Sequence, residues 1–403
     1  MNDSSATLPL FLFSPLAIIG AALLLSQVIG VLMQKRGLPR LYGAVVAGLI
    51  LGVSGLEVVD GALLTYFQEL LNAASALVLF EAGRKTDLAW LWRSRAQGGS
   101  LALGCMLRGA GALVLLRAFG LGWAEAAFIA AILIAVNPVV FTAMAADNHA
   151  SGVATYAAAN TVGLSHLVAL VALSVSLAWL RSHGAVAETP FLDQLLLQGG
   201  KLLQGAGIAL ACYAVYTVAA RLSSAQAGLR PGILLATLMM DLGLCSVTSS
   251  SALLSLLLMG LLLRNAEKRD NVFQAQIKTV QDIGYALLFM MSAALVQFQQ
   301  VLHWDVALAA LLLFGARIVL TRLALVPGQA WSVRKKHAIA LAACSLVSFS
   351  TLVVDSSISN AAYLSETAHR LTQALLALNV LVAPAITWAG LRLAGETHEG
   401  NEA

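Results

Sequence analysis

Apolar residues along this chain run in long blocks, neither alternating nor falling on one face of each helical segment. Blocks stand near residues 10–34, 40–53, 63–82, 98–119, 123–146, 150–180, 195–220, 230–246, 248–264, 280–298, 305–325, 336–358 and 369–392. Most approach the ~20 residues that a helix needs to cross a bilayer. The pattern predicts an all-α polytopic membrane protein of about thirteen transmembrane helices. Connections are brief, and the longest polar stretches are Arg181–Gln194 and Arg264–Thr279. Met1 to Pro9 contains Asp3 and no Lys or Arg, so it lacks the basic start of a signal peptide, and the first apolar block is expected to stay as a helix.

Composition sharpens this reading. The 403 residues are 59% hydrophobic and 11% charged, against roughly 25% charged in soluble domains. So few charges cannot coat a water-facing surface of this size. The net charge of +4 reflects basic loops and not nucleic-acid binding. With the N-terminus outside, eighteen of the 24 Lys and Arg fall at the inner ends and loops. That bias predicts an odd number of spans and a cytoplasmic C-terminus in a bacterial-type inner membrane. The four cysteines lie inside apolar runs without a Cys-x-x-Cys spacing and read as buried, inert thiols.

Two inverted copies fit the count. Residues 1–194 would hold helices one to six and an outer loop, 195–229 a linking helix and loop, 230–392 the second copy, and 393–403 a short tail. An offset of seven helices turns the second copy upside down, as many transporters require.

Polar residues deep in the spans are the candidates for chemistry. Pro138 falls in the middle of the fifth span and must break its hydrogen-bond ladder. A break survives in a bilayer only where protein buries it or a cavity receives it. Asn137 beside it offers an amide oxygen or an amide donor. His166 lies near the centre of the sixth span, next to Ser165, with Asn160 further along the same helix. Imidazole is the side chain that titrates near neutral pH in water. Arg108 and Arg317 fall mid-span in the fourth and eleventh helices, where each costs at least ~2.5–3.5 kcal/mol unless the protein interior partners it. Glu81 sits near the inner end of the third helix, and Asp241 and Asp355 toward the outer ends of the eighth and twelfth. The twelfth span carries a Ser/Thr run that includes Ser345, Ser348, Ser350 and Thr351, consistent either with an opened backbone or with a polar packing face. Ser165 and His166 are adjacent, so their side chains diverge by ~100° on a helix and do not form a nucleophile–base pair. No phosphate loop, dinucleotide fingerprint or zinc spacing appears, and no enzyme activity, cofactor or metal is expected.

Several segments together carry a family resemblance. Lys35-Arg-Gly-Leu-Pro-Arg-Leu-Tyr-Gly-Ala-Val-Val-Ala-Gly-Leu-Ile-Leu-Gly52 resembles the first helix-to-helix passage of the monovalent cation:proton antiporters (sodium/hydrogen exchangers). Leu77-Val-Leu-Phe-Glu-Ala-Gly-Arg-Lys-Thr-Asp-Leu88 is similar to their apolar-Phe-x-x-Gly-x-x-x-Asp-Leu passage. Ala130 to Met144 resembles their broken helix, Ala159 to Leu173 the helix that follows, and Ser251 to Asn265 and Arg317 match in pattern. The chain departs from the family at its centre. Ser165-His166 stands where the acidic pair is usual, and Asn137, preceded by Val136, replaces the aspartate before the proline.

The resemblance implies crossed discontinuous helices, alternating-access exchange of Na+ or K+ for protons, and a homodimer. Asn137, Pro138, Ser165, His166, Arg317 and Ser350 would line the midplane, with His166 taking the proton. Arg317 would offset the carbonyl ends of the broken helices. Arg108, Asn160, Glu81, Asp241 and Asp355 are secondary candidates. Two other readings stand beside it: the same scaffold carrying an anionic solute with protons, and a non-transporting membrane sensor or scaffold.

Overall fold

A computed structural model describes residues 14–59, 61–183, 190–223, 229–266, 270–301, 303–326, 331–346 and 364–397. Its helices are α1 (Pro15–Lys35), α2 (Tyr42–Leu51), α3 (Gly61–Tyr66), α4 (Gln68–Arg84), α5 (Leu88–Arg93), α6 (Arg95–Ala118), α7 (Trp123–Ile134), α8 (Pro138–Asp147) and α9 (Val153–His183). They continue as α10 (Phe191–Leu222), α11 (Arg230–Thr248), α12 (Ala252–Ala266), α13 (Asp270–Ala294), α14 (Phe298–Val301), α15 (Trp304–Ala324), α16 (Val333–Ala342), α17 (Glu366–Leu381) and α18 (Ala383–Ala394). Among the described residues, α1, α6, α9, α10, α11 and α15 are each long and apolar enough to cross a membrane unaided, and α17 with α18 forms a pair bent by 46°.

The helices pack as two bundles. One is built from α6, α7, α9, α15, α16, α17 and α18, with α8 against α18 and α9. The other joins α1, α2, α4, α11, α12 and α13, and α10 packs on both α9 and α12. The tightest approach in the second bundle needs missing side chains. A Cβ on Gly83 would overlap the carbonyl oxygen of Leu257, and one on Gly260 that of Phe80, so α4 and α12 meet backbone to backbone. Gly48 and Gly52 work the same way against Met290 and Ala294 of α13. Their four-residue spacing is therefore a packing seam, of the kind small residues make in membranes.

One expected loop is corrected. The polar stretch Arg264–Thr279 is mostly helix, because α13 begins at Asp270 and not near residue 280. No Gly or Pro lies between Asp270 and Ile283, and Gln, Lys and Ala there hold a helix as well as apolar residues do. The Ser350 and Asp355 candidates, with Ser348 and Thr351, lie outside the described residues.

Candidate functional site

The fifth apolar block is broken where proline demands it. α7 stops at Ile134, and residues 135–137 run extended before α8 begins with Pro138 at its first turn. Proline fits there because the first-turn amides of a helix have no partner within it. Asn137 caps that helix, its Oδ1 accepting from Val139 N at 2.9 Å and Val140 N at 3.4 Å. The Asn137 side chain is therefore spent on the backbone it opens.

A second opened segment crosses the first. α16 ends at Ala342, and the chain beyond it pairs antiparallel through Leu346 with Val136. Asn137 N donates to Ser345 O at 3.3 Å, and Ser345 Oγ donates to Asn137 O at 3.4 Å. Each strand-like segment is also held from the side. Ser165 Oγ accepts from Val136 N at 3.0 Å, and Asn379 Oδ1 accepts from Leu346 N at 2.8 Å. The pairs Arg108/Arg317, Val136/Leu346 and Ser165/Asn379 stand 209, 210 and 214 positions apart. This near-constant offset is what two copies of one unit produce.

Arg317 fills the angle of the crossing. It is 4% exposed. Its Nε donates to Cys344 O at 3.0 Å, one terminal nitrogen to Leu133 O, and the other to Ala135 O at 2.7 Å and Ser345 O at 2.9 Å. These carbonyls are the ones that two interrupted helices leave without intrahelical donors. The negative ends of both helix dipoles converge on the same guanidinium. Arg108, its mate, bonds more sparsely, to Ala343 O at 3.4 Å and Cys105 Sγ at 3.0 Å.

His166 lies beside this crossing. Its Nδ1 is 2.8 Å from Val162 O; a carbonyl only accepts, so Nδ1 carries the hydrogen. Nε2 is then a lone pair, and it is buried with no partner. His166 lines a small cavity of about 20 Å3 between the bundles, together with Ala131 of α7, Ala135 of the extended segment, Leu79 of α4 and Leu253 and Leu257 of α12.

The remaining candidates stand apart. Asn160 Oδ1 accepts from Asp87 N at 2.8 Å and so anchors the loop between α4 and α5. Glu81 is held by Lys85 at 2.9 Å, Arg84 at 3.4 Å and Gln281 at 3.0 Å. Asp241 accepts from Ser255 Oγ at 2.9 Å and Cys245 Sγ at 3.5 Å, on α11, which packs on α10, α12 and α4. Ser345, read from the sequence only as part of a Ser/Thr run, and Asn379, which the sequence did not single out, both belong to the crossing. The signal available was the near-constant offset from Ala135 and Ser165, 210 and 214 positions.

Two polar clusters lie near the C-terminal end of α8. Asp87 caps α5 through Trp90 N at 2.8 Å, accepts from the Tyr156 hydroxyl and lies 3.7 Å from Arg264. Burial pushes its carboxyl up, but these partners outweigh burial and hold it below its usual 3.8. Glu396 lies across the start of α9. It accepts from Ala154 N at 3.0 Å and from Thr155 N at 2.9 Å, and pairs with Lys335 at 3.0 Å. A Cβ on Gly152 would collide with that carboxyl. Burial raises the Glu396 carboxyl, and the two amides and Lys335 more than offset it, keeping it below 4.5. A lowered value means that the contribution to stability is fully present above the unfolded value and disappears as pH falls through the folded one. Glu396→Gln is thus expected to lose about 1 kcal/mol at neutral pH, the size of a helix-cap effect. Thermal unfolding should show the two proteins converging as the pH becomes acid; a gap that persists there would show that charge is not the cause.

The chain shares its fold with the sodium proton antiporter MjNhaP1 from Methanocaldococcus jannaschii at pH 8, with a TM-score of 0.69 over 95% of this chain and 98% of that one, at 17% identity. A search of curated protein sequences finds no match. The family profile described as "Sodium/hydrogen exchanger, transmembrane" matches residues 20–390, and on that match, over nearly its whole length, the chain belongs to the sodium/hydrogen exchanger family.

Proposed function

We propose that the protein exchanges a monovalent cation, Na+ or K+, for protons by alternating access, with His166 as the proton carrier. The observation that carries this reading is the free Nε2 of His166 beside two crossed, opened helices. Family membership supports cation:proton exchange. The aspartate usual at this point is absent, and His166 is the titratable group that lines the cavity against the break. Ser165 and Asn137 hold the backbone open, and Arg317 keeps four carbonyls from repelling one another. Cation ligands would then be neutral oxygens. We place the N-terminus outside and the Asp87–Glu396 side in the cytoplasm, because the loops and helix ends threaded to that side hold eighteen of the 24 Lys and Arg.

Reconstituted protein in liposomes, with a trapped pH dye and imposed Na+ or K+ gradients, tests the reading. Proton movement that follows one of these gradients and saturates with it is expected. If neither cation moves protons, and tracer sodium and potassium do not cross, exchange is not the function. Charge movement driven by an anion gradient in the same vesicles would point instead to an anionic solute.

A further inference from the structure

The charge balance around the crossing points to a second ligand. The C-terminal ends of α7 and α16 each present roughly half a negative elementary charge. Together they offset about one guanidinium, and Arg317 takes them with its four carbonyl bonds. Arg108, 2% exposed, is left with one long bond to Ala343 O and a thiol. Its Nε has no partner. No carboxylate pairs with either arginine among the described residues.

Two adjoining cavities open on this excess. The first, of about 10 Å3, is lined by both arginines, and the second, of about 40 Å3, by Asn379 and Thr372. They share Leu133, Leu346 and Leu375. Asn379 is 1% exposed, and its orientation is set because Oδ1 must accept from Leu346 N. Its Nδ2 is then a buried donor without a partner. Arg108 Nε and Asn379 Nδ2 are both donors, and among the described lining residues no buried side-chain oxygen stands without a partner to receive them. A water molecule would accept from them and leave the charge unbalanced. A small anion satisfies both requirements. The space is too small for a polyatomic dianion such as sulfate, and its leucine walls suit a weakly hydrated ion.

We propose that a monovalent anion of halide size binds beside Asn379 in the larger cavity, against the smaller one that Arg108 and Arg317 line, as a fixed counter-ion. It sits against the Ile129–Leu133 side of α7, whereas His166 faces the Ala131–Ala135 side. Binding itself is independent of the exchange reading. Its consequence rests on that reading: the anion cancels the charge of Arg108 and lets a cation approach the His166 side.

The test is thermal unfolding of the purified full chain in detergent, with sodium bromide replacing sodium gluconate at constant sodium and ionic strength. A ligand that binds only the folded state raises the transition temperature with its concentration, and a rise of about 2–4 °C is expected. Arg108→Met should unfold at a temperature that bromide does not change. Arg108→Lys keeps the charge without the planar fork, and should need at least threefold more bromide for the same rise. A wild type indifferent to bromide would mean that water alone fills the space. An equal rise in Arg108→Met would mean a non-specific salt effect. Either result overturns the site. So would bromide dependence appearing only in Asp355→Asn, which would make that carboxylate, outside the described residues, the counter-charge.

Discussion

Arg317→Met is expected to give the largest loss of stability of any single change at the crossing, about 3–5 kcal/mol, the range for removing one member of a buried charged network. Methionine has a similar length and no polar atom. It would leave Leu133 O, Ala135 O and Cys344 O without the donors that now reach them, and Ser345 O with Asn137 N alone. Each buried orphan acceptor costs about 1–3 kcal/mol, partly relieved by local relaxation. The two helix ends would also face each other with like partial charge. Arg317→Lys should recover only part of the loss, because one ammonium cannot span four carbonyls that a planar fork reaches together. Arg108→Met should cost about 1 kcal/mol, since its one protein carbonyl lies at 3.4 Å. Thermal unfolding and size-exclusion profiles in detergent decide this. If Arg317→Met unfolds at the wild-type temperature, the carbonyls find other donors, and Arg317 does not brace the crossing.

Proton-coupled exchange is expected to fall at least tenfold in His166→Ala while the protein stays folded. The fold should tolerate the change, because Val162 O, the partner of Nδ1, also accepts from Ser165 Oγ at 2.7 Å. What disappears is Nε2, the buried and unpartnered nitrogen proposed to carry the proton. Histidine is positive or neutral in its two states, whereas aspartate is neutral or negative. His166→Asp therefore makes the site one charge more negative at every stage. In the deprotonated state it should draw a cation into a site that otherwise offers only neutral oxygens. Apparent cation affinity should rise at least tenfold, with proton and cation still competing. The measurement is dye-reported proton flux against pH and cation concentration. A folded His166→Ala protein with unchanged rate and pH profile would reduce His166 to a half-satisfied core residue.

The exchanger-type fold was legible in the sequence for a plain reason. Long apolar blocks, short basic loops and a mid-block proline are each constraints that the bilayer imposes on composition, and composition is what a sequence displays. Pro138 had to interrupt its helix whatever surrounded it, and Arg317 had to find partners inside the protein because lipid offers none. The same logic did not reach the helical start of α13, where polar residues looked like a loop but lack anything that stops a helix.

Only the tertiary structure decided which atoms meet. The partners of Arg317 are backbone carbonyls, and carbonyls carry no side-chain signature. Asn160 looked like a site residue from its position on α9, yet its side chain accepts from Asp87 N, away from the crossing. Asn379 looked like one polar residue among leucines, yet it mirrors Ser165 in holding an opened strand. Glu396 lies beyond the last span, yet its carboxylate caps a helix that begins more than two hundred residues earlier. Composition dictates that a chain must break, bury and neutralise within the membrane. Three-dimensional packing dictates which groups do so, because hydrogen bonds are made by distance and direction and not by order along the chain.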